Sequence, residues 1–272
     1  RVWDAMRAID YLVERPDVDP ARIGVHGRSG GGTLSAYVGA MDDRVTAAAP
    51  ECYITSFRRL LQSIGPQDAE QNLLSQISSG LDHGDFLLAR APKPTLMVTT
   101  TRDMFSIQGA RETAASVQPA FTALGYEHNF RMIEDDAPHQ STRLNREQAY
   151  SFFMQHLGVS GSPLDQEIPL IDAEKLQVTP LGQTVLSGAK TVYDFIREDS
   201  KSVLASLAAS REQAGKHREE AVKAARALSG FRPDDRPLET IFAGRFQREG
   251  YFIEKWIIGA DRTIPVPALV FV

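Results

Sequence analysis

This sequence predicts an α/β fold, a mostly parallel sheet covered by helices on both faces. Three observations lead there. Strand-type and helix-type runs alternate four times across residues 1–158. A glycine-rich turn joins the first strand directly to a helix of small residues. Hydrophobic residues make up 42% of the 272-residue chain against 24% charged, enough apolar material for a sizeable core.

Val2, Met6, Ile9, Leu12 and Val13 recur at helical spacing through residues 1–15, and Pro16 closes that helix. Residues 17–22 are a polar turn into the first strand, which carries Ile23 and Val25. After the glycines, residues 33–41 read as a helix, and Val45 to Ala49 form a second strand. Residues 54–88 are irregular and helix-leaning, with Phe57, Leu60, Leu61, Leu73, Leu74 and Ile77 as buried candidates. An insertion of this kind between strands often lids a pocket. Residues 95–101 are rich in β-formers and make a third strand, ended by Arg102-Asp103. A helix over 109–124, a fourth strand over 128–133 beginning at His128, a loop over 134–140 and an amphipathic helix over 144–157 follow.

Beyond this the character changes. Residues 159–188 form a Pro/Gly/Ser-containing connector, and residues 191–228 a long charged helical region with Val192, Phe195, Ile196, Val203, Leu204 and Leu207 as its apolar stripe. Past Gly230 and Pro233, residues 250–258 and 265–272 read as two strands around an Asp261-Arg262 turn. The expected organisation is therefore 1–158, the carboxyl-terminal part of a domain; 159–240, a connector favoured as an interdomain spacer; and 241–272, the first strands of another β-containing domain. Arg1 falls inside a helical pattern and Val272 inside a strand pattern, so the chain reads as a piece of a longer protein.

A net charge of −5, with no basic stripe interleaved with aromatics, argues against a nucleic-acid partner. Arg58-Arg59 and the Arg143/Arg146 pair read as solvated. Cys52 is the only cysteine, so no intrachain disulfide and no zinc-type ligand cluster is expected. No apolar run approaches the length of a membrane span. The compartment, periplasmic, secreted or other, stays open.

Chemistry enters at Gly27-Arg28-Ser29-Gly30-Gly31. Gly-x-Ser-x-Gly is a weak motif alone; between a strand and a helix it places a serine on a sharp turn with its hydroxyl exposed above the sheet edge. Flanking residues must be small where strand and helix backbones nearly touch. Two phosphate-loop readings fail: Thr33 stands where a Walker loop needs lysine, and no Gly-x-Gly-x-x-Gly follows this strand.

A serine hydroxyl needs a base, commonly histidine oriented by a carboxylate. In serine hydrolases of this architecture the chain order is Ser, acid, His. Of six histidines, His26 lies in the first strand, His83 in the insertion, His128 at the start of a strand, and His156 and His217 in helices. His139 alone follows the fourth strand on a polar loop, and is the expected base. Asp103, ending the third strand, is the expected acid, with Glu51 past the second strand as the alternative; Asp135 and Asp136 read as loop solvation. Asp103 is equally a residue type for an Asx turn or a helix cap. The Gly30 backbone N–H is expected to supply one oxyanion donor. The second would come from a loop upstream of Arg1, and one lost donor typically costs about 10²–10³ in turnover, so the piece alone should be crippled.

Gly27-Arg28-Ser29-Gly30-Gly31, Gly80-Leu81-Asp82-His83-Gly84-Asp85, Ala91-Pro92-Lys93-Pro94, Thr101-Arg102-Asp103, Gly109-Ala110-Arg111-Glu112 and His139 together resemble bacterial α/β-hydrolases of the acetylxylan-esterase-like group, related to the prolyl-oligopeptidase-type hydrolases. The resemblance covers about residues 1–158. It implies a three-layer α/β-hydrolase fold with Ser29 as nucleophile, Asp103 as acid and His139 as base. It also implies carboxylic-ester hydrolysis through an acyl-enzyme, on a small ester or an esterified plant polysaccharide, with no metal or organic cofactor. Some such proteins carry two hydrolase domains in tandem, and residues 250–272 resemble the opening of a second one. A serine peptidase of the prolyl-oligopeptidase type and a non-catalytic binding module are the rival readings.

Overall fold

The computed structural model describes residues 1–63, 67–230, 236–262 and 264–272. Two compact units divide at Leu170/Ile171. Pro233 lies outside the described residues.

The first unit runs α1 (Val2–Glu14), β1 (Ile23–Arg28), α2 (Gly30–Met41), β2 (Val45–Glu51), α3 (Phe57–Ser63), α4 (His83–Leu88), β3 (Thr95–Arg102), α5 (Ile107–Ala123), β4 (Phe130–Pro138) and α6 (Arg143–Leu157). Its four strands pair in parallel in the order β1-β2-β3-β4. Parallel pairing demands crossover helices, which cover both faces and make the strands buried and apolar. Alternation along β3 sorts its residues: Leu96 and Val98 pack with Ala47, Ala49, Ala149 and Phe152 on the α6 face, while Met97 joins Tyr37, Tyr53, Val117 and Phe121 on the other. Helix α2 is buried nearly all round, as its small side chains permit.

Both ends of this sheet are tied by buried polar groups. At the amino edge the Arg90 guanidinium, 2% exposed, donates to Gly39 O in the last turn of α2, Pro94 O and Thr95 Oγ1. At the far side of the core His83 is fully buried, stacked on Tyr53 at 4.7 Å. Its Nδ1 accepts from Thr55 N–H at 3.1 Å, so Nε2 carries the proton and donates to Gln67 Oε1 at 3.2 Å. That ring anchors the insertion to the core.

Several expectations change. Glu51 is the last residue of β2 rather than past it, because β1 pairs with β2 through Arg28↔Glu51. His128 lies in a 3₁₀ turn, Glu127–Asn129, before β4. The stretch 134–138 is strand, held by the Thr99↔Glu134 and Thr100↔Asp135 pairs to β3. Asp136 therefore sits on a strand, where it accepts from Thr101 and Arg102. Of the apolar candidates in the insertion, Phe57 and Leu60 are buried and Leu73 packs against the core, whereas Leu61, Leu74 and Ile77 are exposed. Arg59, Arg143 and Arg146 pair with Glu112, Glu147 and Asp165 rather than standing alone.

In the second unit the charged region is two helices, α7 (Val192–Arg211) and α8 (Ala214–Ser229), and its apolar stripe is not buried. Three strands follow, β5 (Thr240–Arg248), β6 (Tyr251–Ile258) and β7 (Val266–Phe271), as an antiparallel sheet in that order. The first of these was hidden in the sequence by its charged residues. Ile253 is the one buried hydrophobic side chain among the described residues of this unit.

Burial holds the His83 imidazole at a pKa of about 4, against an ordinary value near 6.5. Unfolded chains take up this proton near pH 6.5 and the folded unit does not, so acidification favours unfolding. Stability of the first unit should fall by about 3 kcal/mol between pH 6.5 and 4 through this residue alone. Urea titrations across that window should show a shallower acid slope for His83→Gln than for the parent.

Candidate active site

A parallel sheet places the carboxyl ends of its strands along one edge. Ser29 directly follows β1, Cys52 follows β2, Asp103 follows β3 and His139 follows β4, so all four stand on that edge.

Ser29 sits at φ 59°, ψ −119°, left-handed space that a non-glycine residue occupies only under constraint. Backbone contacts impose it. Ser29 N–H donates to Glu51 O at 2.9 Å, and Ser29 O accepts from Thr33 N–H at 2.9 Å. A Cβ on Gly32 would lie 2.3 Å from the same Glu51 oxygen, and one on Gly27 2.7 Å from Gly31 O. The steric demand therefore falls on Gly27 and Gly32, whereas Gly31, the last glycine of the motif, faces open space. Gly30 begins α2, whose first N–H groups have no intrahelical acceptor and point with the positive end of the helix dipole.

The acid–base pair is formed. His139 Nδ1 lies 2.9 Å from both Asp103 oxygens, with the Asp103 side chain 2% exposed and that of His139 22%. Nδ1–H donates to the carboxylate, which leaves the lone pair on Nε2. Asp103 Oδ1 also accepts from Phe105 N–H and Oδ2 from Thr100 Oγ1, so the Asx turn and the charge partner are the same side chain. Glu51 is not brought to His139. Its Oε2 lies 3.6 Å from Nε2 of His26, whose Nδ1 donates to Ala49 O. Among the described residues the Ser29 hydroxyl makes no hydrogen bond, so the contact between Oγ and the imidazole is open in this structure. Such contacts are often long without substrate and tighten on binding.

Cys52 escaped the sequence reading, although its place after β2 matches that of Asp103 after β3. At φ 50° it turns its thiol into the edge, 3.6 Å from Thr100 Oγ1 and 3.8 Å from Gln140 O, beside the base. Burial, with help from the Asp103 charge, pushes this thiol up to about 12. It is neutral, and donates. The donor atoms of Cys52, Asp103 and His139 lie within 4.8 Å of one another. Nδ1 is engaged with Asp103, which leaves Nε2 of His139 as the ring nitrogen open to a proton.

Residues 2–77 match the family model for acetyl xylan esterase. The Bacillus subtilis (strain 168) protein YtaP, a hydrolase by provisional assignment, is 22% identical over 161 residues, covering 57% of this chain and 53% of YtaP. The chain thus spans about half the length of this curated relative. Among solved structures, methylesterase BT1017 is similar with a TM-score of 0.53 and 25% identity, over 60% of this chain and 36% of that one. The glucuronoyl esterase catalytic domain from Hypocrea jecorina, at 18% identity and a TM-score of 0.50 over 65% of this chain and 57% of its own, shares the fold.

The elbow geometry distinguishes its glycines. Gly32→Ala should cost about 3 kcal/mol, since the contact is with backbone that cannot swing aside, whereas Gly31→Ala should stay within about 1 kcal/mol of the parent. Thermal melts of the two variants check the contrast. Strand order and these matches give the first unit an α/β-hydrolase fold, with residues 2–77 similar in sequence to acetyl xylan esterase.

Proposed function

We propose that the first unit is the catalytic core of a serine esterase that cleaves carboxylic esters through an acyl-enzyme. The observation that carries the reading is the Asp103–His139 pair, placed on the same sheet edge as a serine in strained left-handed geometry. In this reading His139 Nε2 takes the Ser29 proton as Oγ attacks the ester carbonyl, and the Gly30 N–H donates to the oxyanion that forms. Collapse breaks the bond to the alcohol oxygen, which leaves with the proton from His139. Water, deprotonated by the same imidazole, then attacks the acyl carbon and releases the acid and free Ser29. Asp103 holds the tautomer and stabilises the imidazolium.

Support for the substrate class is the match to acetyl xylan esterase at residues 2–77 together with the likeness to a methylesterase, and esterified plant polysaccharide follows as the proposed substrate. No described helix is long and apolar enough to cross a membrane. The sheet of the second unit is read as the opening of a further β-containing domain. Phe242, Phe252, Leu269 and Phe271 remain exposed on it, and a sheet without a core of its own calls for more chain to pack against.

In the full chain, a fluorophosphonate probe should form an adduct at Ser29, and Ser29→Ala should abolish both labelling and p-nitrophenyl acetate hydrolysis. Asp103→Asn should lower kcat by about 10⁴ while Glu51→Gln retains turnover far above it. Labelling elsewhere, or none, would overturn the esterase reading.

A further inference from the structure

Beside the Ser29 turn lies a cavity of about 350 Å³. Leu34 and Tyr37 of α2, Val2 of α1 and Leu73 of the insertion give it apolar walls, and Gly30 and Glu70 line it side by side. An atom placed as Gly30 Cβ would lie 3.4 Å from Glu70 Oε1, so this carboxylate stands over the residue whose N–H the esterase reading assigns to the oxyanion. The turn that carries it is fixed. Gln71, the next residue, is 3% exposed, and its carbonyl accepts from Tyr37 Oη at 2.9 Å and Tyr53 Oη at 3.3 Å.

One cation shares the lining with Glu70. Arg1 lines the cavity with its side chain 71% exposed. Arg28 and Glu51, at the ends of β1 and β2, are not among the lining residues. A substrate whose acyl or alcohol part enters this cavity meets apolar surface and the Glu70 carboxylate over Gly30, with the exposed Arg1 side chain also on the lining.

We propose that Glu70 is a specificity-determining residue that turns this site toward uncharged esters, such as an acetylated neutral sugar, and away from esters bearing a free carboxylate next to the scissile bond. This rests on the esterase reading of Ser29. Coulomb repulsion between Glu70 and an anionic substrate acts on binding and transition state alike. The same field acts on the oxyanion of every substrate, so it lowers the common rate and cancels in the ratio between two substrates.

The ratio is what the experiment reads. With the full chain, kcat/KM is measured for 4-nitrophenyl butyrate and for the mono-4-nitrophenyl ester of succinic acid, which match in length and differ by one carboxylate. The succinate-to-butyrate ratio should rise about tenfold in Glu70→Gln and further in Glu70→Lys. In about 1 M salt, where the screening length is about 3 Å, the parent ratio should approach that of Glu70→Gln. Turnover with an unchanged ratio in both variants overturns the charge selection and leaves the esterase reading standing. Absence of turnover on both esters, with no fluorophosphonate adduct at Ser29, overturns both.

Discussion

One carbonyl oxygen organises this unit. Glu51 O receives the Ser29 N–H at 2.9 Å, and the α carbon of Gly32 is pressed so close to it that no side chain fits. Three elements meet there: the end of β1, the start of α2 and the end of β2. The hydrogen bond holds the serine in left-handed backbone space, and the missing Cβ lets the helix leave at once. At its other end α2 is held by a buried guanidinium, with Arg90 donating to Gly39 O. A helix fixed at both termini cannot slide along the sheet, so the position of Ser29 is set by packing at two edges rather than by its own loop.

The choice of acid follows from the pleat. Glu51 and Asp103 both stand at strand ends on the same edge, and sequence order alone admits either. As the last residue in β2, Glu51 keeps strand geometry and lies beside His26, whereas Asp103, one residue past β3, is freed from the ladder and folds back on its own turn. The residue after β2 is Cys52, and its thiol fills the space that a second carboxylate would need. Because burial keeps that thiol neutral, it adds no second negative charge beside the imidazole.

Much of this was legible in the sequence, for identifiable reasons. The alternation of strand and helix, the serine turn, and the positions of Asp103 and His139 depend on local pattern and chain order, and both are visible in one dimension. What was hidden depends on contacts between distant segments. Nothing near Gly31 and Gly32 tells which of them meets a carbonyl from the next strand. Residues 134–138 look like a polar loop, yet pair with β3 because Arg111, Thr101 and Arg102 engage Glu134 and Asp136 across the edge. Phe57 and Leu60 anchor the insertion as their apolar character suggests, but the neutral histidine and the two tyrosine hydroxyls converging on Gln71 that also hold it were not visible. The long charged helix breaks at Glu212-Gln213, where no proline stands and Gly215 just beyond is the one local signal.

The triad proposed for this site needs three contacts, and its parts differ in how they are held. The acid–base contact is made by a buried carboxylate that also accepts from Thr100 and Phe105 N–H, so it exists before substrate arrives. The turn under the nucleophile is equally rigid, since backbone alone defines it. The Ser29 side chain keeps its own torsion, a single rotor with three wells, whose restriction costs at most about 1 kcal/mol. In the proposed mechanism charge interactions outweigh that cost: Asp103 would steady the imidazolium, and the Glu70 carboxylate stands over Gly30, whose N–H is assigned to the oxyanion. A substrate that brings no charge of its own leaves the attraction between imidazolium and oxyanion as the dominant interaction, and one that brings a carboxylate does not.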